Sequence, residues 1–334
     1  MNKKRLAAFL FALLSFAAFA QEDAEKDSDK KSPNSFSLIV EFAYHPEFGR
    51  TIGSGERFSW LKGPFDGAEF GVTGAWDYTV PLPGNSALTQ SNNAKFGADL
   101  QISPATIKPH FFISCSPVAF LDFHAGATFG TGWEFMGAQG LASYNAVSGN
   151  FDNLTPFQNW FYEFELGGTF QFDAAAIWPG DWHHIVFLAS YNLRWSGMTG
   201  QADGHPWIWA ADFPKVNGAN YYSNIILGYQ MPGASKLGMF GVMAEFEGFY
   251  SSSQIAAAYR AYDIDFCRIN ISPVLVFNFT KKDSLFALFY FERRRGFDSA
   301  KGYVNGREQS DVELRCSGGE WHFRRIALRY IHKF

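Results

Sequence analysis

The strongest constraint on this chain is a repeat of two. Between Ala68 and Val80 the even positions are Ala68, Phe70, Val72, Gly74, Trp76, Tyr78 and Val80, while the odd ones are Glu69, Gly71, Thr73, Ala75, Asp77 and Thr79. Successive side chains of an extended strand point to opposite faces, so this segment has one apolar face and one polar or small face. The division recurs at 160–172, where Trp160, Tyr162, Phe164, Leu166, Phe170 and Phe172 oppose Glu163, Glu165, Gly167, Thr169 and Gln171. It recurs at 184–195, with Val186 and Leu188 blurring the polar face at one end, and at 239–250, where Phe240, Val242, Ala244, Phe246 and Tyr250 oppose Gly241, Glu245 and Glu247. An average strand has only about 5–6 residues, whereas a strand tilted across a bilayer needs about 9–11.

A soluble sandwich would turn the aromatic face inward, and a barrel in lipid would turn it outward. The placement of the rings decides between them. Aromatic residues make up 18% of the chain, more than a core needs, and Trp and Tyr gather toward the ends of the alternating runs: Trp76 and Tyr78, Trp160 and Tyr162, Tyr191 and Trp195, and Tyr250. Ala, Val and Leu fill the middles. Two interfacial girdles around an apolar band require this distribution. The expected fold is therefore all-β, a single antiparallel transmembrane β-barrel with greasy side chains outside and polar ones around the middle.

About twelve strands can be placed, at 36–44, 67–80, 94–102, 106–115, 117–131, 158–172, 183–196, 219–231, 236–250, 261–279, 284–296 and 319–334. Starting from the periplasm, the short connections Ser116–Pro117, Met231–Ser235 and Thr280–Ser284 fall on the periplasmic side, and the long ones, 45–66, 132–157, 197–218 and 297–318, fall outside. Segment 81–93 is long for a periplasmic turn and 103–105 short for an outer loop, so ten or fourteen strands also fit.

Ahead of the strands, Lys3, Lys4 and Arg5 precede an uncharged run from Leu6 to Ala20 that ends in small residues at Ala18 and Ala20. That is the pattern of a cleaved secretory signal peptide, and 15 residues fall short of the ~20 a spanning helix needs. Residues 21–35 are rich in Asp, Glu, Lys and Ser and read as a solvated periplasmic tail. The barrel then occupies 36–334.

The chain closes Arg329–Tyr330–Ile331–His332–Lys333–Phe334, with Ile326, Leu328, Tyr330, His332 and Phe334 on one face. A terminal Phe on an alternating strand resembles the carboxy-terminal signal of bacterial outer-membrane β-barrels, from which His332 departs. The resemblance implies an outer-membrane location, contact with outer-membrane lipid, and Tyr330 and Phe334 as an assembly signal read by the barrel-assembly machinery after periplasmic chaperones. The segments Pro117–Gly126, Gly130–Trp133 and Pro179–Trp182 are similar to spirochaete-type outer-membrane barrels.

The sequence offers no chemistry for an enzyme. No Gly-x-Ser-x-Gly, His-Glu-x-x-His or His-x-Ser-Asn-Gly pattern occurs. Asp181–Trp182–His183–His184 is the best metal-like cluster, but neighbouring strand residues face apart, so it reads as an interfacial strand start. Gly53 and Gly130 read as loop punctuation, and Arg293–Arg295 as a strand rim. Cys115, Cys267 and Cys316 are too few for a disulfide framework and form no zinc motif. The net charge of -4 gives no reason to bind nucleic acid. No catalytic residue, metal or cofactor is expected.

The polar face is more informative. Its inward candidates are Glu41, Glu69, Asp77, Asp99, Glu163, Glu165, Glu245 and Glu247, with Arg194, Arg268, Arg325 and Arg329 and either Arg293 or Arg294. Residues 36–250 carry 8 Lys and Arg against 18 Asp and Glu, while 251–334 carry 14 against 9. This split predicts an acidic wall facing a basic wall across the lumen. Hydrated, those walls would filter small polar or anionic solutes in a porin-like diffusion channel; paired, they would make a non-conducting barrel acting through its loops as an adhesin, antigen or structural protein.

Overall fold

A computed structural model describes residues 32–45, 67–86, 88–135, 140–145, 150–210, 215–233, 235–255, 267–300, 303–304, 307–308 and 313–334. The expected signal peptide and tail, up to residue 31, lie outside them, as does Gly53. In chain order the strands are β1 Asn34–Tyr44, β2 Ala68–Pro81, β3 Asn93–Ser103, β4 Thr106–Val118, β5 Leu121–Gly132, β6 Leu141–Asn145, β7 Asn150–Asn153, β8 Phe161–Asp173 and β9 Ile185–Met198. They continue as β10 Trp207–Trp209, β11 Gly218–Gln230, β12 Leu237–Phe249, β13 Arg268–Asn278, β14 Asp283–Ala300, β15 Tyr303–Val304, β16 Arg307–Glu308 and β17 Glu313–Lys333.

Twelve of these close into one antiparallel barrel in the order β1–β17–β14–β13–β12–β11–β9–β8–β5–β4–β3–β2, with β2 returning to β1. Closure pairs the first strand with the last from Ser37↔Lys333 to Tyr44↔Ile326. A closed wall leaves no edge to satisfy, which a bilayer demands of any sheet that crosses it. The end holding Asn34 and Lys333 is taken as periplasmic, in keeping with the orientation read from the sequence.

The expected inversion of faces holds. Phe164, Leu193 and Val242 are 48%, 47% and 48% exposed on the outer surface, whereas Glu163, between two of these runs' outward residues, is 2% exposed inside. Twelve strands match the expected number, and both awkward connections exist: β2 and β3 are joined by 82–92, β3 and β4 by Pro104–Ala105 alone.

Several boundaries move for physical reasons. The turn expected at Ser116–Pro117 sits instead at Ala119–Phe120; Ser116 and Pro117 lie at a register shift within β4. Proline has no N–H to give the ladder, and a bulge is where a strand tolerates that. The expected outer loop 297–318 is largely strand, since β14 and β17 stay paired out to Ala300↔Glu313. The strand expected at 261–279 begins at Arg268, and 261–266 fall outside the described residues. Gly130 is no loop residue: it lies in β5, and a Cβ there would come within 2.5 Å of the Phe161 ring.

The inner face is not uniformly polar. Val186, Leu188, Ile226, Met239, Met243, Val274, Val276, Phe286 and Leu288 form one buried apolar cluster, drawn mainly from the periplasmic halves of β9, β11, β12, β13 and β14. The two residues that blurred the alternation at 184–195 thus belong to a buried apolar floor inside the barrel, packed as a protein core packs.

Candidate functional site

Above and beside that floor, alternation places the polar side chains of nearly every strand in the lumen. Glu41, Glu163, Glu245, Glu247, Arg194, Arg268, Arg325 and Arg329 are buried inside, and Glu69, Asp77, Asp99 and Glu165 point the same way at intermediate burial. Among the inward bases expected, Arg293 stands on the outward register beside Phe291, and Glu292 takes the inward position; the side chain of Arg294 lies outside the described ones.

These groups are joined strand to strand. Arg329 Nε lies 3.8 Å from Glu41 Oε1, and Arg325 Nη1 lies 3.7 Å from Glu69 Oε2. Gln101 Nε2 donates to Glu41 Oε2 at 2.5 Å, and His110 Nδ1 meets Asp99 Oδ2 at 2.7 Å. On the other side Arg194 Nε is 3.4 Å from Glu165 Oε2, with its guanidinium 4.4 Å over the Tyr222 ring. The Tyr222 hydroxyl donates to Glu245 Oε1 at 2.6 Å, Ser196 Oγ donates to Glu163 Oε2 at 2.5 Å, and Arg268 Nη2 donates to Glu247 Oε2 at 2.5 Å.

The expected confrontation of an acidic wall with a basic wall across the lumen is therefore corrected. Closure sets the last strand beside the first, so Arg325 and Arg329 pair sideways with β2 and β1. Nor is the early arc purely acidic. Lys108, buried on β4, stands in the field of Asp99, Glu41, Glu163 and Glu165.

Sequence reasoning passed over Lys108, His110, His124, Tyr222, Lys215 and Arg324. The first four were visible as even positions on alternating strands. Arg324 was not, because a register shift between Tyr290↔Arg325 and Phe291↔Phe323 sends two successive arginines inward, and Arg324 Nε reaches Glu292 Oε2 at 3.5 Å. Lys215 comes from a connection, where no period exists to read.

That connection belongs to a cap. Strands β10, β6 and β7 form a small separate sheet from the segments that follow β5 and β9. Trp207 and Trp209 are fully buried with Leu141, Met198 and the inward Phe161, whose ring centroid is 4.5 Å from that of Trp209. Asn217 Oδ1 accepts from Met198 N and from Trp207 Nε1, and Lys215 Nζ reaches Glu247 Oε1 at 3.2 Å. The extracellular segments read as free loops are thus partly one folded lid, bolted to the wall by Lys215 and Glu247. Lys215→Met should cost about 1.5–3 kcal/mol, the worth of a hydrogen bond to a charged group, and should speed proteolysis within 199–217 while the barrel resists; unchanged cleavage would show that the lid is held otherwise.

The aromatic residues at the ends of the alternating runs face outward. Trp76, Tyr78, Trp160, Tyr191, Trp195 and Tyr250 are exposed on the outer surface, Tyr162 is half-buried, and the Tyr191 and Tyr250 hydroxyls are 2.8 Å apart. At the periplasmic end Phe334 is exposed, and both Tyr330 Oη and His332 Nδ1 reach Asp283 Oδ1, at 2.5 and 2.8 Å. His332, then Thr280 and Tyr330, hold the carboxyl of Asp283 at this turn below the usual carboxylate range. The departure from the terminal pattern at His332 thus has a partner.

A closed antiparallel wall with an apolar, ring-rich exterior and a charged interior is the arrangement that a bilayer demands of a sheet crossing it. The chain has the fold of a bacterial outer-membrane β-barrel. No family model and no curated protein matches it. Among solved structures it is similar to the outer-membrane OmpT of Vibrio cholerae, at 9% identity over 92% of this chain and 100% of that one, with a TM-score of 0.36. It is also similar to the translocator domain of the autotransporter NalP from Neisseria meningitidis, at 10% identity over 99% and 98%, TM-score 0.34. A third is the Acinetobacter baumannii outer-membrane protein Omp33, at 10% identity over 91% and 100%, TM-score 0.34. These likenesses concern architecture alone, and function has to be read from this chain's own residues.

The metal-like run does not act as a strand pair. Strand β9 starts at Ile185, and in the connection before it His184 Nδ1 meets Asp173 Oδ2 at 2.7 Å while His183 Nδ1 donates to the Trp178 carbonyl at 3.0 Å. The two imidazoles serve different partners. Cys115 and Cys267 are free thiols.

Proposed function

We propose that this is an exported outer-membrane barrel closed along its axis, which acts at the cell surface through its folded extracellular end rather than by catalysis. The supporting observation is burial in the lumen: Arg325 and Arg329 are each 1% exposed, and the floor of Val186, Leu188, Met243 and Leu288 is buried and apolar. In twelve strands, between the ~8 that side chains fill and the ~16 that leave an aqueous channel, such packing tips the balance toward a filled interior. The cap, with its buried Trp207 and Trp209, makes the surface presented outside a rigid one suited to adhesin or structural contacts. Residues 1–20 would direct export and be removed. Lipid, the assembly machinery and periplasmic chaperones would be its partners on the way.

Planar bilayers test the reading. Refolded protein should give no unitary conductance, while Leu188→Gly with Met243→Gly, which thins the floor, should leak. Reproducible steps from the unaltered chain would overturn it.

A second reading, the porin-like route for small polar or anionic solutes, is favoured by one observation. The Nη1 and Nη2 of Arg194, and Nε and Nη2 of Arg325, are buried with no hydrogen-bond partner among the described residues. Buried guanidinium donors call for water, so the charged part of the lumen would be wet above the floor. In that case steps appear, and Arg325→Gln with Arg329→Gln changes their ion selectivity.

A further inference from the structure

Beyond the lumen, we infer that the connection between β8 and β9, residues 174–184, is a wedge seated in the headgroup region of the periplasmic leaflet. It holds Ile177, Trp178 and Trp182 at 60%, 65% and 65% exposure, values no water-facing turn gains from. The segment is tied down rather than slack. Asp173 Oδ1 accepts from Ala175 N at 3.0 Å and its Oδ2 meets His184, so one carboxylate clamps both ends. Ile177 N and Trp178 N both donate to the Ala174 carbonyl, and His183 closes the turn on the Trp178 carbonyl. Gly180, at φ +155°, lets the His183 ring approach where a Cβ would stand 3.0 Å from Nδ1.

The position of the wedge is set by Tyr229, an outward residue of β11, whose hydroxyl donates to the Trp182 carbonyl at 3.0 Å. Tyr229 also packs on the outward Phe240 at 5.6 Å. Trp182 therefore continues the barrel's outer apolar surface downward on its flank, beside the exposed Ile185. On the next two turns at the same end of the barrel Lys236, Lys281 and Lys282 are exposed, and cations there would meet lipid phosphates. Indoles with neighbouring cations are what a lipid interface selects, with an apolar face sunk about 5–10 Å. The occupant is thus phospholipid, and the inference rests on the outer-membrane fold rather than on whether the lumen conducts.

The test places one environment-sensitive fluorophore at a time on Ile177→Cys, Phe164→Cys or Ala202→Cys, with Cys115, Cys267 and Cys316 replaced by Ser. Each protein is refolded into phosphatidylethanolamine–phosphatidylglycerol vesicles carrying nitroxide lipids, and heat-modifiable migration verifies the barrel. The label at 177 should be quenched by a nitroxide near the headgroup about twofold or more over one deep in the acyl chain, as an interfacial depth requires. The label at 164 should favour the deep nitroxide, and that at 202, on the extracellular side, neither. Quenching at 164 without quenching at 177 would overturn the wedge and leave the fold intact, as would protection at 177 that appears only when a periplasmic extract is added. No quenching at 164 would instead refute the lipid-facing barrel itself. Should the Ile177→Cys protein not refold, Trp182→Cys carries the same label to the same decision.

Discussion

Arg329→Ala is expected to remove about 3–5 kcal/mol of folding stability, because it strands a charge in a place water barely reaches. Arg329 is buried against Glu41, which β1 and β17 set directly opposite each other, and Gln101 donates to the same carboxylate. The double change Glu41→Leu with Arg329→Met should recover most of the loss, since an apolar pair of similar volume escapes the desolvation that the ion pair has to offset. Reversible urea unfolding in lipid vesicles measures both. A single-variant loss below about 1 kcal/mol would mean that the site is hydrated and the pair is worth no more than a surface one, which also reopens the conducting reading.

Leu166→Arg tests the outer face. Leu166 is exposed in the middle of β8, opposite Leu193 on β9 and Ala125 on β5. On the surface of a water-soluble sandwich such a change is nearly neutral, whereas at the midplane of a bilayer it should cost about 2–4 kcal/mol. The cost should fall to about 0–1 kcal/mol for Phe172→Arg, near the periplasmic end of the same strand, where the guanidinium reaches headgroups. A flat profile along β8 would remove the bilayer from the account of this chain.

Much of the fold could be read from residues alone because a period of two is a local property. Each strand carries its own record of which side is greasy, and Phe164 beside Glu163 states it without any partner. The twelve-strand count followed from the same record, as did the inward set from Glu69 to Arg329. The record fails wherever position depends on a residue far along the chain or on an extra one. The bulge that turns Arg324 inward, the descent of Trp207 and Trp209 onto Phe161, and the bridge from Lys215 to Glu247 are all of this kind.

Alternation by itself determined that the chain is built of long strands and, along most of them, which side chains turn out and which turn in, since that depends only on neighbours one and two residues away. Only the tertiary structure decided what the inward charges do. Closing the sheet brings strand seventeen against strand one, so opposite charges far apart in sequence become lateral neighbours, and a gradient along the chain becomes a set of buried pairs above an apolar floor.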